Sequence, residues 1–132
     1  MKQRKIILVL LPLATIILEL FPCGAVLNFG RGLEEGGGLI KETYSYFSLL
    51  PVGYANFGPF ITALLSCLLF VIALLFLFAN KGIKVIKVIA IIACLTSLSP
   101  LLFGFSYFSI VGVIISLLLC AEVIVTLQTD KQ

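Results

Sequence analysis

The chain has 132 residues, of which 61% are hydrophobic and 11% charged, with a net charge of +3 and a mean hydropathy of +1.25. Soluble domains carry about a quarter charged residues, so this composition excludes an ordinary soluble fold, and the length allows one small domain over 1–132. The positive charges flank apolar runs and are not interleaved with aromatics, which excludes a nucleic-acid surface.

Met1 to Lys5 is basic, and Ile6 to Leu27 is mostly apolar. The start resembles a signal peptide, but no A-x-A pattern precedes a polar stretch. Pro22 also stands where a lipidated Cys23 would need a small neighbour, and Glu19 interrupts the run. A retained first span over 6–27 is expected, with Pro12 and Pro22 as kinks whose freed carbonyls neighbouring helices satisfy.

Residues 28–57 form the long polar segment, expected as a loop outside the membrane. Arg31, Glu34, Glu35, Gly36 to Gly38, Lys41 and Glu42 make its first part flexible. From Thr43 to Phe57 it is aromatic and nearly uncharged, suited to a short strand or to a segment lying at the interface.

Pro59 to Ala79 has no charge at all. As a helix it is roughly 31 Å long, the thickness of a bilayer core. A soluble helix apolar on every face needs a large protein around it, so a membrane span is expected. A tight turn at Ala79 to Gly82 leads to a third span over 83–102, ending near Pro100, and a fourth over 108–127 follows. Ser-Tyr-Phe-Ser occurs at 45–48 and again at 106–109, but the two halves do not otherwise align.

Lys2, Arg4, Lys5, Lys81, Lys84, Lys87 and Lys131 fall on one side of this arrangement, and Arg31 and Lys41 on the other. The basic excess marks the cytoplasmic side. The reading is an all-α, four-helix antiparallel bundle, multi-pass in the plasma membrane, with both termini cytoplasmic and the loop between helices 1 and 2 outside.

Stripes of small and polar residues recur at helical spacing. They are Pro12, Thr15, Glu19 and Cys23; Pro59, Thr62, Ser66 and Ala73; Lys87, Ala90, Cys94 and Ser97; and Ser109, Gly112, Ser116 and Cys120. Such stripes let membrane helices approach closely. Within them Glu19, Ser66, Thr96, Ser97 and Ser116 form a polar layer, with Ser116 about a turn nearer the cytoplasm. Glu19 is the proton-binding candidate, because an ionisable group in a span is costly and no cation shares its depth. Facing the interior, it is expected to be neutral and bonded to Ser66 or Ser97. Glu122 and Lys87 come out at matched depths, roughly 7 and 6 Å from the cytoplasmic end, and are expected to form a structural ion pair.

There is no histidine, the commonest general base and metal ligand. The four cysteines, Cys23, Cys67, Cys94 and Cys120, lack zinc-ligand spacing and read as small buried hydrophobes. No enzyme activity, metal, cofactor or nucleic acid is expected. The partners are the lipid bilayer and a membrane protein or a second copy of the chain.

Four spans with Glu19 in the first resemble the small multidrug-resistance transporters. In that family the resemblance implies a dimer whose glutamate binds protons and cations in turn. This chain departs in lacking tryptophan and in its long outer segment. The topology is also similar to that of claudins, without their tryptophan and paired loop cysteines. The expected role is an accessory or interaction subunit; the alternative is a small proton-coupled dimeric transporter using Glu19.

Overall fold

The structure, a computed structural model, describes residues 2–132 and is mostly helical. Helix α1 (Lys2–Leu20) is followed by strands β1 (Ala25–Gly30) and β2 (Leu39–Tyr44), the short helix α2 (Leu50–Gly53), and the long helices α3 (Gly58–Ala79), α4 (Ile83–Ser97) and α5 (Ile110–Asp130). Three stretches are long and apolar enough to cross a membrane: Gly58–Ala79, Ile83–Phe103 and Ile110–Asp130.

The helices pack in a square, α1 and α4 each against both α3 and α5. Neighbours run antiparallel. Lys5 near the start of α1 lies 5.4 Å from the Phe76 ring near the end of α3, and Arg4 donates to the Gln128 carbonyl near the end of α5 at 3.1 Å. The buried faces repeat at helical spacing: Leu8, Pro12, Thr15 and Glu19 on α1, Ile86, Ala90, Ala93 and Ser97 on α4, and Ile115, Leu119, Glu122 and Thr126 on α5. Leu69, Ala73 and Phe76 of α3 close the core.

Helix ends follow local chemistry. Asn80 takes a left-handed conformation and its N–H bonds the Phe76 carbonyl, ending α3. The Ser109 side chain caps α5 by accepting from Gly112 N–H at 2.9 Å, and its hydroxyl donates to the Gly24 carbonyl at 2.6 Å. One serine thus ties the turn after α1 to the start of α5.

Several expected boundaries move. The first span, expected over 6–27, is helical only over Lys2–Leu20. Pro22 lacks the N–H that a continuing helix would bond. Ala25, Val26 and Leu27 instead enter β1 and are buried by protein. The third span's α-helix stops at Ser97, and a 3-10 segment, Ser99–Phe103, carries Pro100 at its start.

The expected loop over 28–57 is instead largely ordered. Strands β1 and β2 pair antiparallel from Ala25↔Tyr44 to Gly30↔Leu39. On its other edge β1 meets Phe108 through an Ala25↔Phe108 bridge. At that point β1 lies in the middle, between β2 and Phe108; its first three residues are buried, while β2 stays largely exposed.

Candidate functional site

The polar layer lies where α1 meets the cap formed by the hairpin and α2. Glu19 is 0% exposed. Its Oε1 accepts from Ser66 Oγ at 2.8 Å, and its Oε2 has no hydrogen-bond partner. Of the two donors expected for Glu19, Ser66 makes the bond, and Ser97 donates to the Cys94 carbonyl instead. The backbone carbonyl of Glu19 accepts from Tyr46 N–H at 3.0 Å, so the cap is bonded to the end of α1 at this residue.

Tyr46 was expected only as one of the interfacial aromatics, yet it is buried. Its ring lies against Gly24 and its hydroxyl over Gly112; a Cβ at either glycine would come 2.8 Å from the ring or 3.1 Å from the hydroxyl. Burial, and then the nearby Glu19 carboxyl, push the Tyr46 phenol above its ordinary value. The sequence signal was the pairing of a large aromatic with two glycines, which becomes legible only once the fold brings 24, 46 and 112 together.

Two further hydroxyl contacts cross between helices. Thr62 Oγ1 of α3 lies 3.0 Å from Thr96 Oγ1 of α4, and Ser116 of α5 donates to Ser97 of α4 at 3.0 Å. Ser116 is therefore level with Ser97, not a turn nearer the chain ends as its count along the helix suggested. The layer is made of pairs on successive helix seams, and Glu19–Ser66 is the one that contains an ionisable group. Nearby, buried Asn56 leaves both amide atoms unpartnered, as does the Ser99 hydroxyl.

The expected Lys87–Glu122 ion pair is not formed. Lys87 pairs with Asp130, and both carboxyl oxygens of Glu122 are buried without partners. The reason is direction around the helix rather than depth. Lys87 and Cys94 are seven residues apart and share a face of α4 turned toward the α4–α5 seam, where Cys94 Sγ lies 3.1 Å from Cys120 Sγ. Ile91, Leu95, Val123 and Ile124 line an apolar groove along that seam. Glu122, two residues past Cys120, is rotated by about 200° from it into the interior.

Comparisons with protein-family models, with curated proteins and with solved structures gave no match. Three helices long and apolar enough to cross a membrane are consistent with a multi-pass membrane protein.

Proposed function

We propose that the chain is a four-span protein of the plasma membrane, with no enzymatic activity, that serves as an accessory or interaction subunit through its extracytoplasmic cap. In this reading α1 is the fourth span. Its 19 residues give about 28 Å of helix, and its charges sit at its ends, with Glu19 turned inward. The basic excess at the end carrying both termini supports a cytoplasmic location for them.

The observation that carries the interaction role is the tip of the hairpin. Leu33 is 95% exposed and Leu39 74%, on a folded element held to the helices by Tyr46 and Ser109. Large apolar side chains held at the end of an ordered cap suit contact with another protein. A photo-cross-linker at Leu33 or Leu39 in native membranes tests this. The expected product is one discrete protein adduct, abolished by a Leu33→Asp/Leu39→Asp variant that remains folded. Adducts to lipid alone would overturn the reading.

A second reading, proton-coupled transport by a dimer using Glu19, is favoured by the unpartnered Oε2 of that buried carboxyl. Glu19→Gln keeps its shape and the Ser66 bond but removes the exchangeable proton. Under this reading the variant folds and moves nothing; unchanged substrate-driven proton flux would sink it.

A further inference from the structure

Glu122 is 1% exposed, and neither carboxyl oxygen has a donor. Among the described residues, the cations packed around α5 are engaged away from Glu122. From α1, Arg4 is bonded to the Gln128 carbonyl and Lys5 lies over Phe76. From α4, Lys87 is held by Asp130, and Lys84 is near enough to act on that aspartate through its charge. The diagonal helix α3 has no charged residue between Pro59 and Ala79; its titratable group is Cys67. The thiols of Cys94 and Cys120 face each other in the seam, and Tyr46 stands over Gly112 at the opposite end of α5.

Neutral donors are also engaged. Thr126 and Thr129 hydroxyls bond the carbonyls of Glu122 and Val125 on their own helix. No ion pair or side-chain bond therefore accounts for a carboxyl at this position, where an apolar residue would be easier to bury. The polar groups that share the buried face of α5 lie toward Glu19: Ser116, bonded to Ser97, is six residues away, and Gly112, under the Tyr46 hydroxyl, is ten. At 1.5 Å per residue these are roughly 9 and 15 Å along the helix.

We propose that Glu122 is a second proton-binding site, in series with Glu19, on a path through the helix interior toward the end that carries both termini. The inference rests on the reading of Glu19 as a proton carrier. It is compatible with the interaction role, since a subunit docked by its cap leaves its interior free. The proton is the ligand: the carboxylate takes it up, becomes the neutral acid and releases it.

The test uses the full chain in liposomes, with a potassium diffusion potential and an internal pH dye. Wild type is expected to pass protons above the protein-free rate, and E19Q and E122Q each to lower the flux at least tenfold while migrating as wild type in detergent. Flux lost in E19Q but kept in E122Q would overturn this inference and leave the Glu19 reading standing; no flux in wild type would likewise overturn this inference alone, because coupled transport by Glu19 needs its substrate to run. Dicyclohexylcarbodiimide, which labels protonated carboxyls in apolar surroundings, supplies a measurement on the unaltered chain. An adduct on Glu122 that forms faster at acid pH is expected, and its absence would also overturn the assignment.

Discussion

At the scale of single residues, one lysine contact decides how the charges at this level are shared. Lys87 has a side chain long enough to run along α4 to the last turn of α5, where Asp130 is partly exposed. Pairs of that kind couple by roughly 0.2–1 kcal/mol. A double-mutant cycle of Lys87→Ala and Asp130→Ala, read by thermal unfolding in detergent, is expected to show a coupling in that range. Lys87→Ala combined with Glu122→Gln is expected to be additive. Coupling in the second cycle and not the first would reverse the assignment. The sequence carried the depth of these residues but not their rotation about the axis. Counting rise alone matched Lys87 to Glu122, whereas Glu122 belongs to the inward row with Leu119 and Thr126. Glu19 and Ser66 were legible because both depth and stripe agreed for them.

At the scale of elements, the cap is held by a buried aromatic plug. Tyr46 ionises above its ordinary value of 10.0 in the folded chain because burial and Glu19 both disfavour the phenolate. The unfolded chain loses that proton first as pH rises, so folding stability is full below about pH 10 and declines above it. Unfolding midpoints of wild type are expected to fall over that alkaline range, and those of Tyr46→Phe to fall less; parallel curves would remove Tyr46 as the cause. Hydrogen exchange should separate the hairpin by residue. Amides of Ala25 to Leu27, buried in the middle strand, are expected to exchange slowly, and those of Gly36 to Gly38, in positive-φ backbone at the tip, quickly. Uniform rates would count against a docked hairpin. Here the sequence was only partly readable. The aromatic half of the segment signalled order, but Ala25 to Leu27 looked like membrane helix, because a run of apolar residues does not itself distinguish burial by lipid from burial by a strand partner.

At the scale of the whole molecule, the distribution of basic residues and the antiparallel square together fix what must share a side. The start of α1, the α3–α4 turn and the end of α5 lie at one end, and the hairpin and the α4–α5 connection at the other. Reporter fusions at Gln132 and in Gly36 to Gly38 are expected to report opposite sides, with Gln132 cytoplasmic. The same side for both would mean that one of α3, α4 and α5, the helices between them, does not cross. The three long apolar runs were plain from composition alone. The run over 6–27 was legible as a helix too, but not where it ends, since the apolar residues continue past Pro22 while the helix stops at Leu20.

The bridge between Ala25 and Phe108, with the Ser109 bond to Gly24, has a consequence for biogenesis. The hairpin is translated before the edge at Phe108 and the cap residue Ser109 that hold it, with α3 and α4 made in between. Until α5 is made, Gly112 is not there to receive the Tyr46 hydroxyl, and β1 has one edge open. A nascent chain stalled after α4 therefore displays an unlatched hairpin and an α1 that has α3 but not yet α5 to pack against.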